Sequence, residues 1–189
     1  MEKNEILRKI EENPVIAAIR NEEDLEDAIN APVSTVFLLH ADIFNIYPAV
    51  DKVKKSGKNV FIHMDMLEGI GKDNRAIDYI HEQIKPHGII STKNNHIKYA
   101  MGKGMFAIQR VFLIDSQSYE NSVKSILAVQ PDMVEVLPGI MPGIIQRISA
   151  QIPMPVIAGG FVETKDDVIK ILGSGALAIS TGKKELWSL

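Results

Sequence analysis

Short apolar runs alternate along the chain with longer stretches in which apolar residues recur every three or four positions. The runs are VIAAI (15–19), TVFLLH (35–40), NVFIHMD (59–65), GIIST (88–92), MFAIQRVFLI (105–114), MVEVL (133–137), PVIAGG (155–160) and ALAIST (176–181). Most are continuous rather than alternating in polarity, which is how strands read when both faces of a parallel sheet are buried. Between them, 22–30 puts Leu25, Ala28 and Ile29 on one helical face, and 45–55 does the same with Ile46, Val50 and Val53. Residues 74–85 align Ile77, Ile80 and Ile84, and 118–129 align Val123, Ile126 and Leu127. Pro48 is tolerated only in the first turn of its helix, and Gly57 follows as a stop. Thr164 is a candidate cap for a helix that carries Val168, Ile169 and Leu172 and ends at Gly173.

The strand starts, near 15, 35, 59, 88, 105, 133, 155 and 176, define eight βα units. Eight such units predict a closed (β/α)₈ barrel of TIM type, with parallel strands, occupying residues 1–189 as one domain. The chain is short beside the ~250 residues typical of the fold. Its loops must therefore be tight and the last helix, KKELW, a stub. A doubly wound open sheet is the structural rival. No interdomain linker or low-complexity tract interrupts the alternation.

Composition narrows the function. The formal net charge of −3 speaks against a protein that tracks nucleic acid by overall charge, so any such contact must come from a local patch. The absence of cysteine excludes disulfides, thiol nucleophiles and thiolate metal sites. The opening MEKNEILRKIEENP is charged and amphipathic and lacks an apolar signal core. No apolar run approaches the ~20 residues of a membrane span. The expected location is the cytoplasm, with no membrane partner.

In a (β/α)₈ barrel the working residues sit at the C-terminal ends of the strands. That rule selects Arg20, His40, His63, Asp65, Ser91, Lys93, Arg110, Glu135, the pair Gly159 and Gly160, and the triplet Ser180, Thr181 and Gly182. The last two groups form the most specific pattern. Barrels often hold phosphate at the loops after strands seven and eight, on backbone N–H groups. Glycines there let the backbone approach an anion, and two hydroxyls supply donors. The plain alternative is a pair of tight turns. Arg20 and Arg110 are further candidates for anion contact, since a guanidinium in a strand run needs a partner. Glu135 is one such partner for Arg110, in a structural salt bridge. His63 reads either as a general base or as a buried, satisfied histidine. Asp65 and Glu68 read as oxygen ligands for a cation or as ordinary solvated carboxylates, with the latter favoured, so no metal is expected. Lys93 reads as an anion contact or as a solvated charge.

Familiar catalytic patterns are missing. No lysine lies inside a strand run where a Schiff-base aldolase wants one, and there is no Asp-x-Lys-x-x-Asp, no Gly-rich dinucleotide loop and no P-loop. The residues are equipped to bind rather than to catalyse. An enzyme acting on a small phosphorylated substrate is the alternative.

NPVIAAIR, FIHMDMLEGIGKD, KPHGIISTK, FAIQRVFLIDSQS, VEVLPGIMP and IPMPVIAGGFVETKDDVIKILGSGALAISTGKKELW occur in order over nearly the whole chain. Together they resemble the glycerol-3-phosphate-responsive antiterminators of bacterial glycerol operons. IQRVFLIDS, VEVLPGI and AGGF carry the likeness in combination; AGGF alone recurs in many phosphate-binding barrels. The resemblance implies a transcription regulator, not an enzyme, that senses glycerol 3-phosphate as effector, without a cofactor. It implies binding to the leader mRNA of a glycerol-catabolic operon. By position, Gly159, Gly160, Ser180, Thr181 and Gly182 would grip the phosphate. Arg20, His63, Asp65, Ser91, Lys93, Arg110 and Glu135 would line the pocket, with no catalytic role for any of them.

The RNA half has less support in the residues. Lys52, Lys54, Lys55 and Lys58 form one basic cluster, and Lys93, Lys98 and Lys103 another. Each is more commonly a solvated helix face than a nucleic-acid patch. Aromatic residues for stacking on bases are few: six Phe, four Tyr and one Trp. A homodimer that joins two weak patches is one way to build an adequate surface.

Overall fold

All eight apolar runs form strands in the computed structural model, which describes residues 3–189. They are β1 (Val15–Ile19), β2 (Thr35–Leu38), β3 (Asn59–His63), β4 (Gly88–Ser91), β5 (Phe106–Phe112), β6 (Met133–Leu137), β7 (Val156–Gly159) and β8 (Ala178–Thr181). Each pairs in parallel with its sequence neighbours, and β8 returns to β1 through Ile16 opposite Ser180, so the sheet closes. The chain is a (β/α)₈ barrel, and the open-sheet rival is excluded.

Closure gives every strand two buried faces, which explains why the runs are continuous. Outward residues such as Val36, Val60, Ile62 and Ile89 meet the helices in the larger core. Inward residues fill the barrel: Ile16, Phe37, Phe61, Ile90, Phe106, Ile108, Met133 and Ile157. Phe37, Phe61 and Phe106 meet edge to face, with ring centroids 5.6 and 5.5 Å apart. The aromatic layer fits only because β4 starts with Gly88. A Cβ there would lie 2.0 Å from the Phe106 carbonyl oxygen and 2.8 Å from the Phe61 ring.

The helices follow the expected faces. They are α1 (Lys3–Glu12), α2 (Leu25–Asn30), α3 (Ile46–Lys55), α4 (Asn74–Tyr79, continued by a π-helical turn over Ile80–Ile84), α5 (Asn94–Gly102), α6 (Ser116–Val129), α7 (Pro142–Gln151) and α8 (Lys165–Gly173). Pro48 falls in the first turn of α3. Thr164 caps α8 by accepting from the Asp167 amide, and Asp115 caps α6 through Ser118 in the same reciprocal way. The closing KELWS is a 3₁₀ turn (Lys184–Ser188), held by buried Trp187, whose Nε1 donates to the Thr181 carbonyl at 2.9 Å.

α1 precedes the first βα unit, and its pattern of Ile6 and Ile10 went unread as a core face. Both are buried with the inward residues of the barrel, so α1 closes the N-terminal end. The opposite end stays open. There a short parallel ribbon, Ala41–Asp42 with Leu67–Glu68, ties together the loops after β2 and β3.

Candidate functional site

Above the aromatic layer the barrel interior turns polar. Arg110 on β5 and Glu135 on β6 face each other in register, with Arg110 Nε 2.6 Å from Glu135 Oε2. Both are buried, and Ser180 Oγ on β8 donates to Glu135 Oε1 at 2.7 Å. Gly159 on β7 makes this network possible, because a Cβ would sit 2.3 Å from Ser180 Oγ and 3.0 Å from Glu135 Oε1. The Arg110–Glu135 pair thus exists, and the rest of the guanidinium borders the open mouth.

That mouth has two adjoining lobes. The first, about 450 Å³, lies over β6, β7 and β8 and is bordered by Arg20, Arg110, Glu135, Gly160, Gly182 and Lys183. Asp24, Glu163 and Phe161 also border it. Asp24 is committed to Lys184 at 2.5 Å, and Glu135 to Arg110 and Ser180. Arg20 and Lys183 have no ion-pair partner among the described residues, so this lobe offers two uncompensated cations to an anion. Gly160 takes a left-handed φ of +81°, and so does Phe161 next to it at +60°. A non-glycine residue in that region is strained, and such residues gather at ligand sites.

The second lobe, about 520 Å³, lies over β3, β4 and β5 and shares Arg20, Asn21, Leu39 and Arg110 with the first. His63, Asp65, Thr92 and Phe112 complete its walls. His63 is buried, and its Nδ1 has no hydrogen-bond partner. Burial, then the Arg110 charge, lowers its pKa to about 4, so the ring is neutral near pH 7. Asp65 accepts from Ser91 Oγ (2.8 Å), the Thr92 amide (2.7 Å) and Thr92 Oγ1 (2.8 Å). Burial works to raise its pKa, but these donors and nearby His63 outweigh it and hold the carboxyl below its usual value. No cluster of side chains that could hold a metal ion occurs among the described residues.

Residues 15–187 match the family of glycerol-3-phosphate responsive antiterminators. The chain belongs to this family. It is 36% identical over 184 residues to the uncharacterized protein YgcP of Escherichia coli (strain K12), covering 97% of this chain and 96% of that one. The crystal structure of the glycerol uptake operon antiterminator regulatory protein from Listeria monocytogenes str. 4b F2365 superposes with a TM-score of 0.88 at 39% identity, covering 92% of this chain and 94% of that one. A glycerol uptake operon antiterminator-related protein from Thermotoga maritima MSB8 gives 0.84 at 32%, covering 94% and 99%. The family is one of regulators, which sets aside the alternative of an enzyme acting on a phosphorylated substrate.

Within this antiterminator, the expected site residues divide. Gly160, Ser180, Thr181 and Gly182 come together in the first lobe with Arg20, Arg110 and Glu135. The two hydroxyls are not free donors, however. Ser180 gives its proton to Glu135, and Thr181 Oγ1 gives its own to the Val162 carbonyl at 2.8 Å. An anion here would meet backbone N–H groups and cations instead. Gly159 lies beneath the lobe as a space-maker rather than on its wall. His63 and Asp65 stand in the second lobe, with His40 at its edge, bonded to Glu68 at 3.0 Å.

Ser91 and Lys93 do not line either lobe. Ser91 ends β4 on the outward face, where it bonds Asp65 and lies 3.1 Å from His96 Nδ1, so it orients the second lobe from behind. Lys93 is exposed at the start of α5. Asn21, Phe161 and Lys183 were missed, although each adjoins a residue that was selected.

The lysine cluster is not a free cationic surface. Lys52 pairs with Glu26, and Lys55 with Asp51 at 2.7 Å. Lys54 donates to the Lys85 carbonyl, and Lys58 to the Ala31 and Val33 carbonyls at 2.6 Å each. All four lie at the end of α3 leading into β3, which is the closed end of the barrel.

Proposed function

We propose that this antiterminator senses glycerol 3-phosphate in the first lobe, and that occupancy strengthens its hold on the leader mRNA of a glycerol-catabolic operon. The phosphate lies against Arg20, Lys183 and the backbone at Gly160 and Gly182. The glycerol end points toward Glu135 and Arg110. The observation that carries this reading is the pair of uncompensated cations beside two glycine turns at the ends of β7 and β8, the place where barrels hold phosphate. The site needs no resident cofactor. No helix among the described residues is long and apolar enough to cross a membrane, and the proposed place of work is the cytoplasm. A homodimer presenting two mouths to one transcript is part of the proposal, and sedimentation tests it.

A ligand shifts an equilibrium only if it binds one state better than the other. The test is therefore a titration of the operon's leader RNA with and without glycerol 3-phosphate, beside calorimetry of the ligand alone. Saturable ligand binding and tighter RNA binding in its presence are expected. Ligand binding without any RNA affinity would remove the RNA half of the reading. No heat with glycerol 3-phosphate would remove the effector.

A further inference from the structure

The mouth is larger than a three-carbon phosphate requires. Pockets of ~300–1,000 Å³ bury drug-sized ligands, and each lobe alone falls in that range. With the effector in the first lobe, the second is left over. We propose that this second lobe receives a nucleobase of single-stranded RNA, stacked on Phe112 and lying beside the bound effector. The inference rests on the RNA-binding reading above and supplies the contact surface that reading lacks.

Three features of the second lobe suit a nucleobase. The first is a flat apolar wall. Phe112 ends β5 at the rim and is 50% exposed, costly for an aromatic ring unless something covers it. Every base has a face that stacks on such a ring. The second is an unmet hydrogen-bonding group. His63 is only 4% exposed, lines the lobe, and leaves Nδ1 without a partner. A neutral imidazole has one donor and one acceptor nitrogen and can read the edge of a base as either. The third is cationic. Arg20 and Arg110 border both lobes, so a guanidinium that meets the effector phosphate also faces whatever fills the second.

The shared arginines provide the coupling. An anion in the first lobe fixes Arg20, whose alternative is to wander in solvent at the rim. A base and its backbone phosphate then meet an ordered cation. Linkage makes the effect reciprocal: whatever factor the effector adds to RNA affinity, RNA adds to effector affinity. A planar base also fits a recess better than a second copy of the chain does, because a stable protein interface needs ~1,000 Å² of matched surface. Lysines at the closed end of the barrel are not needed in this scheme.

The experiment uses the full chain with Phe112→Ala and Phe112→Trp, the leader transcript, and a version of it carrying 2-aminopurine at unpaired positions. Phe112 lies outside the first lobe, so calorimetry without RNA is expected to give wild-type glycerol 3-phosphate affinity for both variants. Stacking on one aromatic is worth ~1–3 kcal/mol per base, so Phe112→Ala is expected to weaken RNA binding roughly 5- to 150-fold. Phe112→Trp should retain it, and 2-aminopurine should be quenched by wild type and not by the alanine variant. Wild-type RNA affinity in Phe112→Ala, with the effector response intact, overturns the nucleobase site and leaves the function standing. Displacement of glycerol 3-phosphate by a nucleoside monophosphate, rather than joint binding, also overturns it, since there would be one site and not two. A dimer that Phe112→Ala dissolves without any change in RNA affinity would assign the lobe to a second copy instead. If wild type binds glycerol 3-phosphate and no leader RNA, the RNA reading fails first and this inference with it.

Discussion

At the scale of single residues, the buried pair of Arg110 and Glu135 has the largest consequences. Its charges are desolvated, and each is the other's partner. Removing one member strands the other, which costs ~3–5 kcal/mol in buried pairs. Arg110→Met is therefore expected to lower the urea midpoint by that order and to abolish effector binding, read by calorimetry. A variant of wild-type stability would show that the pair is not held dry. Two histidines make a second prediction. Burial is the main cause that lowers both His63 and His87 to about 4, from the usual 6.5. His87 Nδ1 accepts from the Val60 amide at 2.9 Å, a bond that protonation would break. Between pH 6.5 and about 4 the unfolded chain holds more protons at these sites than the folded one, so stability is full above that window and falls as pH drops through it. Urea unfolding across the window should show the decline, and replacing both histidines by glutamine should flatten it. A wild-type protein equally stable at both ends of the window would contradict the burial of these rings.

At the scale of elements, α1 and α3 show how position changes the meaning of a pattern. α1 reads as an exposed amphipathic segment, but Ile6 and Ile10 plug the barrel, with Ile10 fully buried. Ile10→Ala is expected to cost ~2–5 kcal/mol, like other deletions from packed cores, measured by thermal or urea unfolding. A loss under half a kilocalorie would mean that the helix does not seal the barrel. The charged face of α3 reads as a binding patch, yet its lysines meet Glu26, Asp51 and backbone carbonyls of neighbouring loops. Exposed pairs of this kind are worth little individually. Lys58 differs, since burial lowers its pKa and its ammonium satisfies two carbonyls on the loop before β2.

For the whole molecule, the open end of the barrel is where the fold and the effector meet. A ligand that binds only the folded state stabilises it by ~2.7 kcal/mol at a hundredfold excess over Kd. For a chain of this length that is a Tm rise on the order of 5–11 °C. Glycerol 3-phosphate should produce such a rise, and Gly160→Asp should remove it. Aspartate would add a side chain at a left-handed position and a negative charge on the wall that faces the phosphate. A scan that moves equally in wild type and variant would place the ligand elsewhere.

The barrel itself was legible because closure buries both faces of every strand, so β1 to β8 appear as uninterrupted apolar runs. The mouth residues were legible because chain direction alone puts the C-terminal strand ends together, which is how Arg20, Arg110, Glu135, Gly160 and Gly182 could be selected by position. Sequence by itself therefore determined the strands, their order and the end of the barrel that carries the site. Side-chain commitments were decided only by tertiary structure. Ser180 and Thr181 looked like donors until Glu135 and the Val162 carbonyl took their protons, and Ser91 looked like a pocket residue until its pleat turned it outward. Gly159 looked like an anion contact and proved to be the space that lets Ser180 reach Glu135. The physical reason is the same in each case. Hydrogen bonds and ion pairs are satisfied by whichever group lies within about 3 Å, and closure brings together groups tens of residues apart in sequence.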